Sequence, residues 1–262
     1  MVDELLDRGD EVEQTPRTQS ESEDDDLAVS LSALSRLSAV RLGLEDLLTE
    51  VATFAVQAIP GADGAGLTLI EANRADTIVK SAPFVREIDD IQYGLGEGPC
   101  ISAAARGIPM RSGSLGGDPR WPRFGPQAGR LGVHSVLSLP LISADAVVGA
   151  MNVYAHAKDA FDERSEQLGR LYAVPAAISV QNAQILAQTQ RLAAKFQSAM
   201  TNRAVIDQAI GILMSRSGVT QDEAQARIRL LSQRENTKMA AAADGIVTEA
   251  VRRARARRTE EP

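Results

Sequence analysis

A single cysteine, Cys100, is the only thiol in the chain, which excludes an intramolecular disulfide and any thiol-only metal cluster. The two histidines, His134 and His156, make too thin a ligand set with it for zinc, so no metal residue is assigned. Aromatic residues are only 3% of the 262, with one tryptophan at position 121, so that residue stands out. No apolar run approaches the roughly eighteen residues a membrane helix needs. The first residues are acidic rather than basic and then apolar, which predicts no secretory leader. Net positive charge is missing too: a formal charge of −7 argues against a globally basic nucleic-acid binder. Neither a Ser-His-Asp order, nor HExxH, nor a paired-carboxylate motif stands out, so no catalytic residue is assigned and the chain is read as a non-enzyme. The expected setting is reduced and cytoplasmic, without a membrane.

What is present suggests about two soluble domains: 262 residues, 44% apolar and 24% charged. The charge is placed unevenly. Residues 1–26 carry eleven acids against two arginines, whereas 191–262 carry thirteen Lys/Arg against eight acids. Residues 1–26 are too poor in apolar groups to offset ordering entropy and are expected to be a disordered acidic tail that can be removed without loss of folding. Leu27, Leu31, Leu34 and Leu37 then mark an amphipathic helix, and Leu44, Leu47, Leu48, Val51, Phe54 and Ala58 a second, stopped by Pro60-Gly61. The period changes to strands at 64–70, 77–82, 133–141 and 146–154, the last two joined by a hairpin at 143–145. Gly, Pro and Asp cluster over 112–126 as a long connection. Strands flanked by helices without regular βαβ alternation predict an α+β class with an antiparallel sheet.

Several residues are singled out on chemistry. Gly94, Gly96 and Gly98 precede Pro99 at neither P-loop nor dinucleotide spacing, and a structural turn is favoured over an anion cradle. Cys100 beside them reads as a buried structural cysteine before a redox sensor. Trp121, with Arg120, Arg123 and Phe124 around it, either lines a pocket for an acidic or planar ligand or pins the long loop. Tyr93, Cys100, Trp121 and Phe124 are the candidate ligand-pocket set. No motif names a cofactor.

After Phe161-Asp162, Leu171, Ile178, Ile185, Leu192, Ala199 and Ile206 recur every seven residues, with Pro175, Asn182, Thr189, Phe196 and Arg203 four residues after the first five. This is a heptad seam, expected as a linker helix over 163–199 that pairs two chains from about Ile178 to Ala199, with Asn182 fixing register and Pro175 kinking or interrupting the helix. Residues 203–247 read as three short helices. Ile206, Ile210 and Leu213 line the first, which Gly218 ends. Thr220 and Glu223 form a capping box for the second, lined by Ala224, Ile228 and Leu231. Asn236 is the expected N-cap of the third, lined by Met239, Ala243, Ile246 and Ala250. Beyond it, Arg252, Arg253, Arg255, Arg257 and Arg258 form a basic tail over 252–262, either a solvated helix end or a phosphate-contacting segment.

The stretch IDQAIGILM followed by DEAQARIRLLSQ resembles the ANTAR domain, a three-helix RNA-binding output module of bacterial antitermination regulators. AIPGADGAGLTL, IQYGLGEGPC, DPRWPRF, SVLSLPL and VGAMNVYA, in that order, resemble the GAF domain found before ANTAR in regulators of actinobacterial type. The resemblances imply a GAF-like sensor over 27–162, with a pocket under long loops, and an ANTAR domain over 200–251. They imply a signal-responsive antitermination regulator, expected as a homodimer, whose GAF domain takes an unidentified small ligand or partner and whose ANTAR domain binds RNA hairpins in nascent transcripts. The RNA-binding set they imply is Arg203, Gln208, Gly211, Arg216, Arg229, Lys238, Arg252 and Arg253. Some GAF proteins reduce free methionine sulfoxide with several cysteines; one cysteine departs from that pattern. The chain also departs from the ANTAR pattern at Ile210, where lysine is usual, and at Gln225, where an aromatic is usual. Two alternatives stay open: a DNA-binding regulator with a GAF sensor, because three short helices also describe a helix-turn-helix, and a ligand-binding interaction module with a decayed output domain.

Overall fold

The computed structural model describes residues 18–38, 41–71, 74–144 and 146–260. It forms two compact units that divide between Ala187 and Gln188, inside the expected linker helix.

The first unit opens on α1 (Gln19–Ser35) and α2 (Leu44–Ala58). β1 (Gly64–Glu71) and β2 (Arg74–Lys80) form a hairpin, followed by α3 (Pro83–Leu95), α4 (Pro99–Arg106), the short β3 (Met110–Ser112) and α5 (Gly125–Arg130). β4 (Ser135–Ser143) and β5 (Ala146–Ala155) form the second hairpin, and α6 starts at Glu163. Every strand pairing is antiparallel, in the order β2-β1-β5-β4-β3.

Strand alternation gives the sheet two different faces. One carries Leu67, Leu69, Leu137, Leu139, Met151 and Val153, packed with α1, α2 and the start of α6 into the larger apolar core. Gly169 lets α6 lie close on this face, since a Cβ there would come 2.7 Å from Leu139 Cδ1. Tyr172 fixes α6 to α2 by donating to the Val51 carbonyl at 2.8 Å. The other face lies under α3, α4 and α5 and holds the polar cluster described below.

Several expectations are corrected. The acidic stretch does not stay unstructured up to residue 26: α1 begins at Gln19, and residues 1–17 lie outside the described residues. Thr18 and Glu21 form a capping box, Arg164 pairs with Glu23 and Asp24, and Leu27 and Leu34 are buried. The acids therefore pair with a half-buried arginine and start a helix. Pro175 neither ends nor interrupts α6, which runs unbroken from Glu163 to Ser217. The carbonyl that loses its donor belongs to Leu171, a residue on the exposed side where water can replace the bond. The first ANTAR-like helix is consequently the end of α6 rather than a separate short one.

In the second unit, α7 (Gln221–Glu235) and α8 (Met239–Glu260) follow. Thr220 and Glu223 make the expected capping box. Replacing Thr220 with alanine is expected to lower stability by about 1 kcal/mol, measured as a shift in the helical unfolding transition. Asn236 is the C-cap of α7, not the N-cap of α8. It is left-handed (φ 51°), a conformation asparagine tolerates better than most residues, and its N–H returns to the Ser232 and Gln233 carbonyls. Ala209, Ile210, Ala224, Ile228, Ala242 and Ala243 form the core of this unit, with Ile206, Leu213, Leu231, Met239 and Ile246 around it. Ile210, only 7% exposed, is a packing residue here.

Candidate functional site

The second face of the sheet buries polar side chains where a sheet core is usually apolar. Gly66 of β1, Asn152 of β5 and Ser138 of β4 are register partners on one rung. Asp89 of α3 lies over them. Its Oδ1 accepts from Tyr154 Oη at 2.6 Å and from Asn152 Nδ2 and Gln92 Nε2 at 3.2 Å each. Gln92 also donates to Tyr154 Oη at 2.8 Å and accepts from the Cys100 N–H at 2.9 Å, tying α3 to β5 and to the start of α4. Tyr93 Oη bonds Thr68 Oγ1 and lies 3.4 Å from Cys100 Sγ. Asp89, Gln92, Ser138, Asn152 and Tyr154 have no exposed surface. Asp89 Oδ2, Asn152 Oδ1 and Ser138 Oγ nevertheless have no hydrogen-bond partner.

Burial dominates the electrostatics of this cluster. It pushes the Asp89 carboxyl up to about 7, against the smaller opposing pull of the bonds from Tyr154, Asn152 and Gln92. Burial, and then the nearby Asp89 charge, pushes the Cys100 thiol up, so this cysteine is not an activated thiolate. Gly66 permits the close approach of α3, since a Cβ there would lie 2.6 Å from Asp89 Oδ2 and 2.8 Å from Val85 Cγ1.

The structure divides the expected pocket set. Tyr93 and Cys100 belong to the polar cluster. Trp121 and Phe124 are buried in an apolar cluster with Val85, Ile88, Ala103 and Leu115, where they anchor the long loop. Trp121 Nε1 donates to Ser102 Oγ at 3.0 Å, and the Arg120 guanidinium lies 4.4 Å from the indole centroid. Asp118 holds that arginine, and the pairing draws its own carboxyl down to about 2. Glu97 Oε1 accepts the N–H groups of Arg123 and Phe124, at 2.7 and 3.0 Å. Asp89, Gln92, Ser138, Asn152 and Tyr154 were not anticipated from the sequence.

In the second unit, Gln208, Gly211 and Arg216 come together in a groove of about 630 Å³ walled by Ile212, Val247 and Val251. Gly211 contributes no side chain, so backbone is accessible there. A further groove of about 430 Å³ shares Arg216 but is lined by Glu235 and Glu249, two carboxylates that disfavour a phosphate. The other expected RNA residues are dispersed. Arg203 is exposed one turn from Asp207, 3.9 Å away. Arg229 is exposed on α7, and Lys238 is exposed where α8 begins, its carbonyl accepting from Ala241 and Ala242. Arg252 and Arg253 each reach Glu249 at 2.6 Å.

The chain thus joins a sheet unit with a polar interior to a small helical unit. Residues 42–181 match the GAF domain family and residues 194–247 the ANTAR domain. The first match covers more than half of the chain, which belongs to the GAF family and has the domain content of a GAF–ANTAR regulator. No curated protein matches it. Among solved structures, the GAF domain of a phosphoenolpyruvate-protein phosphotransferase from Coxiella burnetii is 17% identical with a TM-score of 0.53, over 65% of this chain and 99% of its own. A free methionine-R-sulfoxide reductase from Neisseria meningitidis, in complex with its substrate, is 15% identical with a TM-score of 0.50, over 66% of this chain and 96% of its own. At these identities the likeness shows the fold alone. Among the described residues no helix is long and apolar enough to cross a membrane.

Proposed function

We propose that the chain is an RNA-binding transcription antitermination regulator, in which the GAF unit takes a small ligand and the ANTAR unit binds RNA hairpins. The observation that carries this reading is the groove joining Gln208, Gly211 and Arg216. It combines a cation for phosphate, an amide for a base edge and an apolar wall against which an unstacked base can lie. No carboxylate lines it. The test is competition between an RNA hairpin and a DNA duplex of equal charge, for the parent protein and for Arg216→Gln. Preference for the hairpin, weakened about tenfold by loss of a charged contact worth about 1.4 kcal/mol, supports the reading. Preference for the duplex favours the DNA-binding alternative.

The regulator acts as a homodimer through α6. In the first unit Leu171 and Ile178 are exposed on this helix; in the second, Leu192 is 54% and Phe196 63% exposed. Their heptad recurrence fits a seam between two copies. Leu192→Asp combined with Phe196→Asp would bury unpaired charge in that seam. The double variant is expected to sediment as a monomer at concentrations where the parent is a dimer; an unchanged dimer would rule the seam out. The chain catalyses nothing in this reading, and its only thiol serves packing.

A further inference from the structure

We propose that the polar cluster beneath α3 binds its ligand through a primary ammonium group held by Asp89 Oδ2, Asn152 Oδ1 and Ser138 Oγ. The proposal rests on the reading of the GAF unit as a ligand sensor and names the chemistry of what it senses.

Three observations carry it. These three oxygens are fully buried, and none has a hydrogen-bond partner. They belong to one neighbourhood. Ser138 and Asn152 are register partners, Asn152 pairs in turn with Gly66, and Asp89 Oδ2 stands over Gly66 where a Cβ would be 2.6 Å away. With Asp89 ionised, their chemistry is weighted toward acceptance. The amide oxygen and the carboxylate accept only, and the serine hydroxyl accepts as well as donates. An alkylammonium group has three N–H donors and one positive charge, matching three acceptors of which one can carry a negative charge.

The remaining groups of the cluster fit this assignment. Asp89 Oδ1 is already occupied by Tyr154, Asn152 and Gln92, so the carboxyl is oriented with its other oxygen uncommitted. Without a cation, burial favours the protonated acid; an ammonium beside it restores the carboxylate and cancels its charge. A carboxylate or phosphate ligand would instead face the ionised Asp89 and the Asn152 amide oxygen as acceptors, with the Ser138 hydroxyl the one donor among the three. Because the oxygens are closed beneath α3, entry requires that helix to shift, which favours small amines over bulky ones.

The experiment uses the full chain and follows unfolding of the GAF unit by the emission of Trp121, the only tryptophan and a buried one. Melts are recorded near pH 8, above the raised Asp89 value, with equal concentrations of ethylammonium, potassium or tetraethylammonium chloride. Ethylammonium is expected to raise the midpoint by several degrees relative to both other salts, and Asp89→Asn and Ser138→Ala are each expected to abolish the difference. An equal shift with potassium or tetraethylammonium, or a shift that persists in Asp89→Asn, would overturn the proposal. So would the absence of any shift, the result expected if a buried water alone satisfies the three oxygens. A panel of neutral and anionic metabolites separates the two levels. Stabilisation by one of these and by no primary amine overturns the ammonium assignment and leaves ligand sensing in place, whereas no response to any compound counts against both.

Discussion

Replacing Asp89 with asparagine is expected to stabilise the GAF unit at pH 8 and to remove most of its pH dependence between pH 5 and 8. The folded-state value of Asp89 is about 7, against 3.8 for the free group. The folded state therefore holds a proton that the unfolded state releases. The contribution is fully present below the unfolded value and is lost as pH rises through the folded one. About three pH units at 1.4 kcal/mol each amount to roughly 4 kcal/mol between pH 4 and pH 8. Asparagine removes this cost because it has no proton to lose. Its amide oxygen can keep the position of Oδ1 and accept from Tyr154, Asn152 and Gln92. Its amide nitrogen, at the position of Oδ2, brings donors to a neighbourhood where Asn152 Oδ1 and Ser138 Oγ have none. Trp121-monitored melts at the two pH values should show the parent losing stability as pH rises while the variant stays level and melts several degrees higher at pH 8. The window avoids Asp63, whose value is lowered by its hydrogen bonds to His156 and whose contribution is lost only in more acidic solution. Equal slopes for the two proteins would mean that Asp89 is not the titrating group.

The apolar half of this molecule was legible in the sequence, and the polar cluster was not. α2, the four longer strands and all three stripes of the ANTAR unit follow from period, because the same alternation that marks an element also decides which face it buries. α3 was missed because its inward face includes Asp89 and Gln92, so its apolar stripe is incomplete. β3 is only three residues long, too short for alternation to show. Asn236 suits both a helix start and a left-handed stop, and only the backbone decides between them. A signal for the cluster was nevertheless present. Thr68, Ser138 and Asn152 each interrupt a run of apolar residues, in GLTLI, VLSLPL and AMNVYA, where strands buried on both faces normally read as continuous. Their convergence beneath α3 depends on pairings that no local pattern contains.

Changing Arg252, Arg253, Arg255, Arg257 and Arg258 together to glutamine is expected to weaken hairpin binding about a hundredfold near 0.1 M salt and to lower its salt dependence by about two. The magnitude follows from the shape of the segment. It is the continuation of α8, which runs to Glu260, so positions around the helix cannot all meet one RNA backbone. Positions 252, 255 and 258 recur every third residue on one side, and 253 and 257 lie on another. About three phosphate contacts at roughly 0.7 each give the change in slope of log affinity against log salt, and that slope gives the hundredfold loss. Glu249 does not prevent this, since its pairs with Arg252 and Arg253 are exposed within one helix and weak in water. Glutamine keeps the helical propensity of arginine, so a loss of binding is not a loss of α8. The burial of Ile210 makes the tail more important: where other ANTAR domains usually present lysine, this chain places a core side chain, and cationic contacts must come from elsewhere. The measurement is a salt titration of hairpin binding by parent and variant. An unchanged slope would mean that the tail touches no phosphate. Failure of the parent itself to bind hairpins at low salt would mean that the changes at Ile210 and Gln225 have removed the activity that the groove and the arginines support.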